Sequence, residues 1–223
     1  MQTFHTPAVI SAVVDIPAGR VRVIAADRAD TTVEVRPADT AKGRDVTAAE
    51  RTGVECVDGV LRITAPAESD RILGASGSVE VTVHLPAGSN VAAKAAAAEL
   101  RCVGRLGDVV CEGAYGTVEI EEAASARVAA HAADITVGLL TGPAEISTQK
   151  GDIRVTEATS GTVVLRTVLG DVTVGAARGV SASLDAGTGY GRVHNALKNT
   201  EGAAAGLAIR ATTDHGDITA RSL

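Results

Sequence analysis

Lys150-Gly151-Asp152-Ile153-Arg154-Val155 and Leu169-Gly170-Asp171-Val172-Thr173-Val174 repeat one pattern, a Gly-Asp corner that opens an alternating apolar run. The pattern returns at Gly107-Asp108-Val109 and Gly216-Asp217-Ile218, with degenerate copies at Ala133-Asp134-Ile135 and Gly191-Arg192-Val193. From 133 to 151 is a step of 18 residues, and from 151 to 170 one of 19. A fixed step of this size marks a stacked-repeat architecture. Within each step a second apolar position recurs, giving the series Val109, Val118, Val128, Ile135, Ile146, Ile153, Val163, Val172 and Ala182. Two short strands per rung follow, with strands about 4.8 Å apart from rung to rung. The predicted fold class is therefore all-β: a single-stranded parallel β-helix, or β-solenoid, with short rungs of about 18–20 residues. Each rung leaves an apolar edge open until the next covers it, so the rungs are expected to stack in sequence order. The last interval, from 191 to 216, is 25 residues long and carries an inserted loop over Asn195–Gly206.

Upstream of residue 90 the rhythm is less regular. Val9–Ile16, Arg20–Ile24, Thr32–Arg36, Val54–Val57, Val60–Thr64 and Ser78–Leu85 read as strands by their β-branched content or period-two alternation. Asp58-Gly59 is a hairpin-turn signal between two of them. Ala48-Ala49-Glu50-Arg51 favours a short helix or a loop. Asp15-Ile16-Pro17-Ala18-Gly19 and His84-Leu85-Pro86-Ala87-Gly88 echo each other, and Gly19 and Gly88 are expected to close two corners of the same kind. Ala92–Leu100 has the highest helix propensity in the chain, yet it lies where the repeat demands a strand, and strand is the expectation. The whole reads as one domain over 1–223. An irregular N-terminal β part spans 1–90, with polar inserts near 38–53 and 66–77, and regular Gly-Asp rungs fill 91–223.

Composition narrows the core and the partners. Aromatic residues make up 1% of the chain, namely Phe4, Tyr115 and Tyr190. Ala, Val, Ile and Leu pack a thin core between close strands, whereas a thick globular core needs larger side chains. The net charge is −6 and Lys and Arg form no run. Nucleic-acid binding needs a basic footprint and often stacking aromatics, so it is excluded as a reading. Cys56, Cys102 and Cys111 are odd in number and lack a C-x-x-C pair, which fits small core hydrophobes in a reducing compartment. The N-terminal residues lack a basic region followed by an apolar run, and no apolar stretch of about 18 residues exists. A cytoplasmic location without a membrane span is the expectation.

Few residues suggest chemistry. Asp108, Asp134, Asp152, Asp171 and Asp217 share one repeat position and are expected to form a ladder along a corner. Carboxylates about 5 Å apart repel unless a cation bridges them, which raises a calcium-type site. The Gly-Gly-x-Gly-x-Asp nonapeptide of calcium-binding β-rolls is absent, however, and Asp in a turn commonly accepts backbone N–H bonds. Gly107, Gly151, Gly170 and Gly216 are read as structural corners. Gly187-Thr188-Gly189-Tyr190-Gly191 lacks the Lys of a phosphate loop and is read as a turn on which Tyr190 packs. Asp214-His215-Gly216-Asp217 holds an acid–base pair on paper only, since no nucleophile elbow or zinc-protease motif accompanies it. No catalytic residue, cofactor or small-molecule site is expected.

The order of these motifs resembles a bacterial β-strand-repeat family of candidate adhesins, a family of unknown function. The resemblance runs from Val14-Asp15-Ile16-Pro17-Ala18-Gly19-Arg20-Val21 through Val33-Glu34-Val35-Arg36-Pro37, Leu85-Pro86-Ala87-Gly88 and the Gly-Asp rungs. It continues through Gly189-Tyr190-Gly191-Arg192-Val193-His194-Asn195 to the close at Ile209–Ile218. It implies a β-solenoid, right-handed by the usual crossover preference, and brings no catalytic residues. A non-enzymatic scaffold or interaction module follows, with a protein partner or self-association through unpaired rung edges. The alternatives are a carbohydrate-active or cation-dependent enzyme using a β-helix groove, and a calcium-binding surface module.

Overall fold

The computed structural model describes residues 1–65 and 77–223, so the polar loop expected at 66–77 lies, but for Gly77, outside the described residues. The chain is a β-solenoid by fold. Its contacts group it into two units, Met1–Gly116 and Thr117–Leu223.

In the first unit, β1 (Gln2–His5) precedes the long β2 (Ser11–Ala26) and β3 (Asp30–Pro37). The helix α1 (Gly43–Arg51) is followed by β4 (Gly53–Val57), β5 (Val60–Thr64), β6 (Val79–Pro86) and β7 (Asn90–Glu112). The period-two pattern buries Ala12, Val14 and Ile16 in the first half of β2 and Val21, Val23 and Ala25 in the second. The first half pairs in parallel with β5 and with the start of β7, and the second with β6 and the continuation of β7. This is solenoid winding. It gives way to antiparallel pairing at β1 with β3, β3 with β6 and β4 with β5.

Local sequence accounts for these elements. Asp58 and Gly59 both adopt positive φ, +50° and +74°, the two-residue geometry that turns β4 back on β5. Asp45, in the first turn of α1, is buried and accepts the Ser78 amide at 3.0 Å, which fastens the helix to the entry of β6. Ala92–Leu100 is strand within β7, paired in parallel with β2, with Ala93, Ala98 and Leu100 buried. The Pro-Ala-Gly echo divides. Gly19 (φ +132°) bends β2 without ending it, and a Cβ there would collide with the Val79 carbonyl. Gly88 (φ +83°) instead forms a turn after β6, donating to the Arg105 carbonyl at 2.8 Å.

Cys102 and Cys111 are buried on β7, and desolvation pushes each thiol up to about 12. Burial also raises the half-buried Cys56. The unfolded thiols ionise near their ordinary value while the buried ones stay protonated. Their contribution to stability is therefore complete below about pH 9 and is lost as the pH climbs towards about 12. A thiol-specific reagent at mildly alkaline pH is expected to label Cys56 in the folded chain and all three cysteines after unfolding.

Almost all of β8 (Tyr115–Leu140) belongs to the second unit. It is followed by β9 (Ala144–Lys150), β10 (Ile153–Ala158), β11 (Gly161–Leu169), β12 (Val172–Ala176), β13 (Ala182–Tyr190) and β14 (Val193–Ala196). The last strands are β15 (Leu207–His215) and β16 (Ile218–Ser222). All these pairings are parallel. One stack runs from the middle of β8 to β9, β11, β15 and β13. The other runs from the end of β8 to β10, β12, β16 and β14.

The rungs are thus not stacked in sequence order. The C-terminal rung, 207–222, lies between 161–176 and 182–196. The physical reason is visible at matched positions. Ile209, Ala211, Ile218 and Ala220 of the C-terminal rung sit opposite Leu184, Ala186, Val193 and Asn195. The more apolar set is covered on both sides. The set containing Asn195, with Gly187 and Gly189 on the same rung, is left at the edge, where a polar inward position stays wet. Corners 141–143 and 159–160 advance by one rung, 177–181 passes over the place of the C-terminal rung, and 197–206 steps back by one.

Candidate functional site

Each regular corner of the second unit is built from Thr-x-x-Gly followed by Asp or, once, Arg. Gly151, Gly170, Gly216 and Gly191 hold φ between +129° and +153°. At Gly170 a Cβ would fall on the Gly151 carbonyl of the adjacent rung, so backbone packs on backbone there. Three residues earlier a threonine points inward; Thr148 donates to the Lys150 carbonyl at 3.0 Å, and the other three hydroxyls donate to a corner-glycine carbonyl of the neighbouring rung. Thr167 donates to Gly151, Thr213 to Gly170 and Thr188 to Gly216, at 3.0, 3.0 and 2.9 Å.

The aspartates do form a ladder, and its bonds define its role. Asp134 Oδ1 accepts the Asp152 amide at 2.9 Å, and Asp152 Oδ1 accepts the Asp171 amide at 2.8 Å. Asp171 Oδ1 accepts the Asp217 amide at 2.7 Å, and Asp217 Oδ1 accepts the Arg192 amide at 2.8 Å. The acceptors thus serve the next rung and not their own turn. Arg192 occupies the carboxylate position on the edge rung and ends the series. Asp108 lies in the first unit, where its amide donates to Asn90 Oδ1 at 2.8 Å, so Asn90 takes the part of the preceding aspartate. Gly107 serves there through close approach, since a Cβ would meet the Asn90 side chain. Among the described residues no group of three His, Cys, Asp or Glu side chains is arranged to hold a metal ion.

These roles separate two readings of the ladder. Asp171→Ala removes the acceptor for the Asp217 amide and is expected to cost about 1 kcal/mol. Asp171→Asn keeps a carbonyl oxygen and is expected to be near neutral in urea unfolding. A cation site would lose both variants alike, along with any calcium-dependent rise in melting temperature.

Beside the corner, an outward column runs through Lys150, Leu169, His215 and Tyr190. Leu169 is 47% exposed and Tyr190 74%. The Tyr190 and His215 rings stack, with centroids 4.9 Å apart and planes 3° apart. Tyr190 therefore packs on a ring and not within a turn. His215 is committed to that stack and Asp217 to the Arg192 amide, so each group of the sequence-level acid–base pair has a structural task. Tyr190 belongs to the edge rung. Among the described residues β13 pairs only with β15, and β14 only with β16. The inward-facing Val193 on this edge is 45% exposed and Leu184 half-buried.

Sequence reading found the corners and the ladder. It missed the threonine column, Asn90 and the terminating Arg192. The threonine signal was present, since Thr148, Thr167, Thr188 and Thr213 each precede the corner glycine by three residues.

Fold and corner together define a parallel β-solenoid whose rungs are tied by side-chain-to-amide ladders. The chain belongs to the Toastrack DUF4097 family, whose model matches residues 13–221. Three solved structures are similar to it. A candidate cell adhesion protein from Clostridium sporogenes shows 13% identity and a TM-score of 0.41, covering 100% of this chain and 98% of its own. A candidate adhesin from Bacteroides fragilis shows 10% identity and a TM-score of 0.44, covering 100% and 95%. A candidate adhesin from Parabacteroides distasonis shows 13% identity and a TM-score of 0.46, covering 98% and 95%. No curated protein matches the chain. Among the described residues no helix is long and apolar enough to cross a membrane.

Proposed function

We propose that this chain is a non-enzymatic, adhesin-like interaction module that engages a protein partner through the edge rung 182–196. The observation that carries the reading is the state of that rung. Among the described residues it presents unpaired strand edges on β13 and β14, an inward Val193 left 45% exposed, and Tyr190 left 74% exposed beside them. An open edge with apolar positions is a template for one more strand. Arg192 in place of the ladder aspartate gives an added rung no carboxylate for its corner amide. The edge therefore suits a finite complex over an endlessly growing filament. The commitment of the corner carboxylates to backbone amides supports the non-enzymatic reading over a cation-dependent one.

Self-association is the version open to direct test. Light scattering after size exclusion, in reducing buffer over a range of concentrations, is expected to show a mass that rises to a defined oligomer. Val193→Lys is expected to return the mass to one chain with the melting temperature unchanged. One chain's mass at every concentration would remove self-association through this edge, and an oligomer indifferent to Val193→Lys would remove the edge itself.

A further inference from the structure

We propose that the edge rung 182–196 selects its partner by a corner sequence: a parallel segment reading threonine, any residue, a ring, glycine, an acid and an apolar residue. This rests on the edge-binding reading and adds which segment the edge accepts.

Four features of the edge corner specify that segment. The first is an open acceptor. The Gly151, Gly170 and Gly216 carbonyls each receive a threonine hydroxyl from the next rung of the stack, at 3.0, 3.0 and 2.9 Å. Among the described residues no hydroxyl reaches the Gly191 carbonyl, and an inward threonine opposite Thr188 would fill it. The second is steric. A Cβ at Gly191 would fall on the Gly216 carbonyl, and one at Gly216 on the Gly170 carbonyl. The same approach repeated one rung further admits only glycine opposite Gly191.

The third is a ring face. The Tyr190 and His215 centroids lie 4.9 Å apart with their planes 3° apart, matching the spacing of adjacent strands. His215 covers one face of Tyr190, and the other is turned to the place of an added rung, where a further ring extends the stack. The fourth is charge. Arg192 is exposed, and among the described residues its guanidinium makes no ion pair. An acid at the ladder position of the added rung lies beside it, a surface pairing that salt weakens. The residue after that acid falls opposite Val193 and is apolar.

Main-chain pairing gives such an edge its affinity, and side-chain positions give it its specificity. The chain itself carries a segment with this order. In rung 207–222 it reads Thr213, His215, Gly216, Asp217 and Ile218, and that rung pairs with the inner side of 182–196 in the same register. Its sequence is therefore a probe for the outer side.

The test titrates the full chain with a synthetic peptide of sequence 207–222 carrying His215→Trp, followed by tryptophan fluorescence, since the chain has no Trp. The chain carries Cys56→Ser, Arg166→Cys and Thr212→Cys. Arg166 and Thr212 are exposed, paired positions on β11 and β15, and their oxidation locks the chain's own rung in place, so the peptide cannot replace it. Saturable binding to the locked chain is expected. Gly216→Ala in the peptide is expected to weaken it by more than about tenfold. Thr213→Val in the peptide is expected to weaken it by about fivefold, and Thr213→Ser to leave it unchanged. Tyr190→Ala in the chain is expected to cost about fivefold. Because the decisive changes are in the peptide, they leave the fold of the chain untouched. Val193→Lys in the chain is expected to abolish binding of every peptide. Binding indifferent to Gly216→Ala and Thr213→Val overturns the selection and leaves the edge as the docking place. Binding that survives Val193→Lys lies elsewhere and overturns both readings. No saturable binding up to the solubility limit of the peptide overturns the selection, and the oligomer measurement then judges the edge alone.

Discussion

Gly170→Val is expected to lower the free energy of unfolding by more than about 3 kcal/mol, enough to leave much of the chain unfolded at ordinary temperature. Two costs add. The backbone at Gly170 sits at φ +151°, a region that a β-branched residue scarcely enters. The new Cβ would also fall on the Gly151 carbonyl, so the rungs must part there, and with them the Gly151 amide bond to the Leu169 carbonyl at 2.9 Å. Gly187→Val is the control. Gly187 lies in β13 with nothing within 4 Å of a Cβ, and valine there is expected to be neutral or mildly stabilising. Urea unfolding of both variants checks the pair, and equal stability would remove the corner account.

The second large effect separates two orders of rungs. Ile218→Asp is expected to cost about 4 kcal/mol or more, because it puts a carboxylate at a fully covered inward position. Val193→Asp makes the same change at the paired position of the edge rung. It is expected to cost less than about 1 kcal/mol, because Val193 is 45% exposed and its carboxylate reaches water. Stacking in sequence order would reverse the ranking, since 182–196 would then be inside and 207–222 outside. Denaturant midpoints of the two variants decide it.

Much of the fold was legible because it is local or periodic. Asp58-Gly59 required a hairpin. Alternation marked β2 and β6, and the repeat step overrode the helix propensity of Ala92–Leu100. The order of rungs was not legible from spacing. All rungs share one period and one inward pattern, so any rung can in principle stack on any other. What decides is a comparison of inward residues, Asn195 against Ala220 and Val193 against Ile218, together with Arg192 against Asp217 on the ladder. An arginine at the ladder position can receive a carboxylate from one side and offer none to the other, so its rung belongs at an end. That signal was in the sequence and is weaker than the 25-residue spacing that pointed elsewhere.

The site was half legible for a related reason. Recurrent aspartates announced a column, yet a cation ladder and an amide-capping ladder have the same spacing. They differ only in where the carboxylate oxygens point. The threonine column was hidden because threonine alternates plausibly in any strand. Only the neighbouring rung's glycine carbonyl shows why it recurs three residues before the corner.

Amide hydrogen exchange on the folded chain tests the rung order most directly. Amides of β15 and β16 are predicted to be among the most protected of the second unit, with those of β13 and β14 exchanging far sooner. Stronger protection of 182–196 than of 207–222 would contradict the intercalated rung, and with it the assignment of 182–196 as the binding edge.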